Sequence, residues 1–112
     1  MKMPIDQEYS FDIPIELALK HLGGPWKMPI LWRLSGNILR YGQLKKNLPG
    51  ITDKMLAAQL RELEENALIR RVVYPVVPPK VEYSLTEKGI RAIPVIEVLL
   101  QYGEELRKES GT

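Results

Sequence analysis

The sequence predicts a single α+β domain, mostly helical, with its strands confined to one hairpin late in the chain. Three observations predict it. Apolar residues recur at helical spacing over much of the first 65 positions. A β-branched stretch from Leu68 to Leu85, interrupted by Pro75, Pro78 and Pro79, breaks that rhythm. Helical spacing then returns from Thr86 onward.

Each element follows from its residues. Residues 1–13, with Pro4 and mixed polar groups, read as a loose N-terminal arm. Ile15, Ala18, Leu19 and Leu22 fall at i, i+3, i+4 and i+7, one face of a helix. Gly23-Gly24 ends it. Pro25 opens a second helix, where a missing N–H costs little. Trp26, Ile30, Leu31 and Leu34 carry that helix to Gly36, and Pro29 is tolerable within the first turn. A short third helix around Tyr41 to Asn47 turns Tyr41, Leu44 and Leu48 inward, and Pro49-Gly50 marks a turn. Thr52 is a good N-cap and Asp53 suits the positive end of a helix, so a fourth helix runs to about Glu65, with Asn66 as its terminator.

Leu68 to Tyr74 reads as one strand. Val81, Tyr83 and Leu85 alternate with Glu82 and Ser84 as a second, joined to the first by a stiff proline-rich tip. Thr86 caps a last helix from about Glu87 to Arg107, with a weak point at Gly89 and a site for a kink at Pro94. Residues 14–108 thus form the domain and 109–112 a tail. A three-helix unit followed directly by a two-stranded hairpin is the arrangement of a winged helix-turn-helix, here with extra helices at both ends.

Composition narrows the function. The chain has 112 residues, 45% hydrophobic and 27% charged, as in a folded soluble domain. No apolar run approaches the ~18 residues of a membrane span, and the polar start has no secretory apolar core, so a cytoplasmic protein is expected. There are no cysteines, which excludes disulfides, thiolate metal sites and thiol chemistry. The one histidine, His21, reads as an ordinary helix residue. No nucleophile–base set and no glycine-rich phosphate loop appear, so no enzyme activity, metal or cofactor is expected. Glu62, Glu64 and Glu65 read as a solvated acidic patch.

Net charge is only +2, but it is unevenly spread. Residues 1–39 carry four basic and four acidic groups, residues 40–91 ten and six, and residues 92–112 two and four. The basic excess lies in the middle, a distribution compatible with a nucleic-acid footprint or with a plain solvated surface.

The fourth helix is the most informative segment. On a helical wheel Leu56, Leu60, Leu63 and Ala67 form one apolar stripe. The opposite face holds Lys54, Ala57, Ala58 and Arg61, with Thr52 and Asp53 at its start. Small side chains let a backbone approach a groove wall, and alanine methyls fit thymine methyls. Arg61 suits a guanine edge or a phosphate, and Lys54 a phosphate. The plain alternative is a solvated helix face. Around the hairpin, Arg71, Pro78, Pro79 and Lys80 are candidates for a wing that follows the DNA backbone or enters the minor groove. Against this stands a loop merely stiffened by prolines. Lys27, Lys45 and Lys46 are further candidates for phosphate contact, or are simply solubilising.

The last helix has more apolar faces than one domain can cover. Ile93, Ile96 and Leu100 make one stripe, and Val95, Leu99, Tyr102 and Leu106 a second. The second stripe, with Ile15 and Leu19 of the first helix, is the expected seam of a homodimer.

Four runs taken together resemble a known family. They are Leu-Gly-Gly-Pro-Trp-Lys-Met-Pro-Ile-Leu at 22–31, Leu-Pro-Gly-Ile-Thr-Asp-Lys-Met-Leu at 48–56, Gln-Leu-Arg-Glu-Leu-Glu at 59–64 and Val-Pro-Pro-Lys-Val-Glu-Tyr-Ser-Leu-Thr at 77–86. In this order they resemble the HxlR-type winged helix-turn-helix regulators, relatives of the MarR group, over roughly residues 14–104. The resemblance implies a homodimer built on the terminal helices that binds double-stranded DNA at an inverted-repeat operator, as a repressor more readily than as an activator. It implies that the helix from Thr52 enters the major groove, with Thr52, Lys54, Ala58 and Arg61 at recognition positions. Val72 to Leu85 would be the wing, with Pro78, Pro79 and Lys80 at its contact positions. Many members carry a sensing cysteine ahead of the first helix. Here the matching stretch is Asp12-Ile13-Pro14, so a thiol switch is excluded. Pro25 and Pro29 also depart from the family pattern. The residues name no effector and leave room for an unidentified small molecule. The competing reading is a winged-helix module for protein–protein contact, which the salt dependence of DNA binding separates from a regulator.

Overall fold

The computed structural model describes the backbone of residues 5–112 and the side chains of residues 12–112. Five helices and three strands follow in the order α1 (Ile5–Leu22), α2 (Lys27–Leu34), β1 (Leu39–Arg40), α3 (Tyr41–Lys46), α4 (Asp53–Glu65), β2 (Ile69–Tyr74), β3 (Lys80–Leu85) and α5 (Glu87–Glu109). This is the expected α+β winged helix-turn-helix with added terminal helices.

The core is built where amphipathic faces converge. Ile30, Leu31 and Leu34 from α2 meet Leu44 and Leu48 from α3 and its exit, and Leu56, Leu60 and Leu63 from α4. Leu68, Ile69 and Tyr83 close it from the sheet and Ile96 from α5. The Pro49-Gly50 turn lets α4 fold back over α3, with Gly50 at φ +88, a conformation that side chains disfavour.

The junction of α4 and β2 corrects the wheel reading of Ala67. The helix ends at Glu65, and Ala67 takes φ 59. Ala67 N–H donates to the Glu64 carbonyl, and Leu68 N–H to the Leu63 carbonyl. That is a Schellman cap with alanine where glycine is usual. Ala67 therefore leaves the apolar stripe, and Leu68 takes the place in the core.

The sheet is larger than the expected hairpin. β2 and β3 pair antiparallel from Ile69↔Leu85 to Tyr74↔Lys80. β1 adds to the far side of β3 through Leu39↔Tyr83 and Arg40↔Glu82, giving the order β1-β3-β2. Two residues are too few for an alternating pattern to show in sequence.

The terminal helices also differ from expectation. The supposed loose arm over 1–13 is helical from Ile5, and α1 passes through Pro14; residues 1–4 of that arm lie outside the described residues. Pro14 removes one N–H from the helical ladder without ending it. At the other end α5 is continuous past Pro94 to Glu109. The tail folds back, with Thr112 N–H donating to the Arg107 carbonyl. Leu100 faces α2 along with Ile96, as expected, but stays half exposed, because the space between it and Met28 and Trp32 is an open cavity and not packed core.

Gly89 is a close approach rather than a weak point. It is buried at the start of α5, and a Cβ there would run into the Leu68 carbonyl oxygen. Thr86 secures the same spot: its Oγ1 accepts from Gly89 N–H (3.1 Å) and donates to the Ala67 carbonyl (2.6 Å). Lys88 Nζ donates to the Asn66 carbonyl (2.8 Å) and lies 3.3 Å from His21 Nε2. His21 Nδ1 faces the Leu17 carbonyl at 3.0 Å. His21 thus sits where the ends of α1 and α4 meet the start of α5.

Candidate nucleic-acid interface

α4 is presented by its own ends and its buried stripe. Thr52 Oγ1 accepts from Met55 N–H at 3.1 Å, satisfying one of the free donors of the first turn. With Leu56, Leu60 and Leu63 buried, Lys54, Ala57 and Arg61 stand exposed on the outer face. Ala58 is half-buried, so it is turned partly away from that face.

Asp53 is engaged within the fold. The Tyr41 hydroxyl donates to its carboxylate (3.0 Å) and to its carbonyl (3.1 Å), and Lys45 Nζ lies 2.9 Å from the same carboxylate. The hydrogen bond from Lys45, then that from Tyr41, holds the Asp53 carboxyl below the usual carboxylate range. The Tyr41 phenol is raised, first by burial and then by its bond to Asp53. These contacts lock the α3–α4 turn, and they offset the charge of Lys45, one of the expected phosphate contacts. Lys46 is exposed and free of ion pairs among the described residues.

Lys27 requires a correction. It is 8% exposed and sits between α2 and α4, its Nζ 3.6 Å from Glu62. Its amino group joins two core helices and is not presented to a phosphate. The stem is buried while the amino group reaches a carboxylate, as for many long cationic side chains.

The wing carries Pro78 and Pro79 in an exposed tip whose extreme is Val77, fully exposed. Lys80 is occupied: its Nζ lies 3.4 Å from Glu82 and 4.9 Å from the centre of the Tyr74 ring. A hydrogen bond to Glu82 raises the Tyr74 phenol.

Arg71 lies closer to α4 than the rest of the wing. It lines a cleft of about 360 Å³ together with Arg61, Ala57 and Glu64 of α4, Tyr41 of α3 and Tyr83 of β3. The structure therefore brings Ala57, Arg61 and Arg71 together, and leaves Pro78, Pro79 and Lys80 at the far end of the hairpin. Tyr41, Glu64 and Tyr83 were missed as members of this cleft. Strand alternation alone puts Arg71 on the core side of β2, but its pairing with Tyr83 depends on register, which the proline-rich tip hides.

The six expected seam residues, Ile15, Leu19, Val95, Leu99, Tyr102 and Leu106, are all exposed. So are Ile13, Leu17 and Val98, which were not assigned to a seam from the sequence. Among the described residues no cluster of three or more His, Cys, Asp or Glu side chains is placed to hold a metal ion, and no helix is long and apolar enough to cross a membrane.

Comparison with known proteins agrees with this geometry. MalR of Fusobacterium mortiferum, named as a regulatory protein, is 47% identical over 102 residues, which is 90% of this chain and 96% of MalR. The HTH-type transcriptional regulator YtcD of Bacillus subtilis is 42% identical over 97 residues, covering 87% of this chain and 77% of YtcD. A crystal structure bearing the YtcD name superposes with TM-score 0.80, at 42% identity, over 84% of this chain and 96% of that one. The reduced form of HypR, described as a redox regulator, gives TM-score 0.80 at 40% identity, over 84% of this chain and 93% of HypR. With no cysteine, this chain has no thiol through which to share that chemistry. The profile of HxlR-like helix-turn-helix proteins matches residues 21–110, and the chain belongs to that family of transcriptional regulators.

Proposed function

We propose that the protein is a homodimeric repressor that binds an inverted-repeat operator in double-stranded DNA. α4 enters the major groove through Lys54, Ala57 and Arg61, with Thr52 at its mouth. The wing follows the adjacent backbone through Arg71, Pro78, Pro79 and Lys80. Lys46 lies on α3, the helix before the recognition helix, which crosses the backbone in helix-turn-helix complexes. The exposed apolar faces of α1 and α5 form the dimer seam, so two recognition helices meet successive major grooves ~34 Å apart.

The observation that carries this reading is the meeting of α4 and the wing. The exposed face of α4 and the strand bearing Arg71 share one cationic cleft on one side of the domain. A helix face and a wing that present charge to the same side match a duplex, whose backbone lies beside the groove that the helix fills.

The test is selection of a randomised duplex library on the purified protein at about 50 and about 200 mM salt. The expected result is an inverted repeat with half-sites one helical turn apart, held less tightly at the higher salt. Enrichment of nothing at either salt would remove DNA from the reading and favour a protein-contact module.

A further inference from the structure

Arg61 and Arg71 come from different elements and share one space. Arg71 stands opposite Tyr83 in the β2–β3 ladder, so both project from the same face of the sheet. That is the face on which Ile69 and Tyr83 are buried, and beyond the core it looks toward α4. The neighbouring Arg70 projects from the opposite face. Arg61 reaches the cleft from α4, and Leu60 lines it too. Neither guanidinium is ion-paired among the described residues, although Glu64 shares the cleft. Two arginines and one glutamate leave the lining a net charge of +1. A backbone phosphodiester carries a single negative charge and matches it. A phosphate monoester, at about −1.5 to −2, overfills it.

We infer that this cleft seats one backbone phosphodiester of double-stranded DNA, gripped from α4 by Arg61 and from the sheet by Arg71. The inference rests on the DNA-binding reading and divides the work inside it. Arg61 holds the backbone, and Lys54 and Ala57 are left to meet base edges. Guanidinium forks suit phosphate oxygens, and two forks from separate elements fix the angle between α4 and the wing on the duplex.

The experiment compares wild type, Arg61→Ala, Arg71→Ala and the double variant. Each is measured on the selected duplex and on a scrambled duplex of the same composition. Both arginines are exposed, so the variants fold. Each single variant is expected to lose roughly ten-fold on both duplexes alike, leaving their ratio unchanged. A second series places one uncharged methylphosphonate at each backbone position in turn. At one position per half-site it weakens wild type roughly ten-fold and has no effect on the double variant. The idea is overturned if Arg61→Ala lowers the selected-to-scrambled ratio, which marks a base reader, or if no backbone position couples to the arginines. Inorganic phosphate, titrated into the DNA-free protein and followed by NMR, separates the other source. Saturable binding lost in Arg71→Ala, with DNA affinity indifferent to both arginines, marks a free-anion site and overturns the clamp. Wild type that holds neither duplex defeats the DNA-binding reading itself. Wild type that holds duplex without help from the arginines defeats the clamp alone.

Discussion

The chain divides into a head that covers its own apolar side chains and two helices that do not. From α2 to the early turns of α5, apolar faces meet one another, and Ile30, Leu31, Leu44, Leu56 and Leu63 are wholly buried. From Asp12 to Lys20 and from Glu97 to Thr112 every residue is exposed, including Leu17, Leu19, Val98, Leu99 and Tyr102. The difference is one of reach more than of composition. Past Ile96, α5 continues to Glu109, ~20 Å of helix that the domain flanks only at Leu99 and Leu100, which line an open cavity with Met28 and Trp32 of α2. A periodic apolar face therefore reports that cover is needed, and only the packing shows whether the chain supplies it.

Breaking the head should cost the most. Leu56→Ala empties a fully buried site in the first turn of α4 and is expected to lower stability by about 2–5 kcal/mol in urea unfolding. A loss below ~1 kcal/mol would mean that the head has slack enough to close over the gap. Gly89→Ala comes next. Its Cβ meets the Leu68 backbone, which cannot swing aside as a side chain would, and a loss of about 1–3 kcal/mol is expected in the same assay.

The terminal helices should respond in the opposite way. Leu99→Glu with Tyr102→Glu puts charge on the exposed apolar face of α5 without removing a buried core side chain. Sedimentation should show a monomer at micromolar concentration, with the helical content of the head retained. A dimer that survives both changes moves the seam to another face.

The smallest effect lies at the α3–α4 turn. Asp53 has a folded-state pKa below that of the unfolded chain, chiefly through Lys45, so its ionised form stabilises the fold. That contribution is complete above the unfolded value, about 4, and is lost as the pH falls through the lowered value. Asp53→Asn should therefore be less stable than wild type near neutrality, and the gap should close in acid. A gap independent of pH would show that the carboxylate charge is not what holds the turn.

What was legible in the sequence follows the same division. The caps Thr52 and Thr86, the Pro49-Gly50 turn and the stripe Leu56–Leu60–Leu63 are local signals, and each appears in the structure. Lys27 was misread because its burial depends on where α4 lies, and nothing near it in sequence says so. Leu100 fits the stripe by its spacing from Ile96, but its exposure was hidden because an open cavity separates it from α2. β1 was invisible because two residues carry no period. Within the candidate interface, Arg61 and Arg71 were each legible as cations, but their meeting depends on strand register and helix placement.

The order β1-β3-β2 has one more consequence. β1 covers only two residues of β3 on one side, and β2 runs six residues along an open edge on the other. An open edge of that length is a template with which a strand of another chain can pair, the first step toward aggregation. Arg70 and Arg71 place adjacent like charges on it, and Pro75 stops its extension. Without the arginines the strand would read as Ile69, Val72, Val73 and Tyr74, the apolar β-formers of a self-associating segment. Charge on this edge thus keeps the wing soluble, whatever else Arg71 holds.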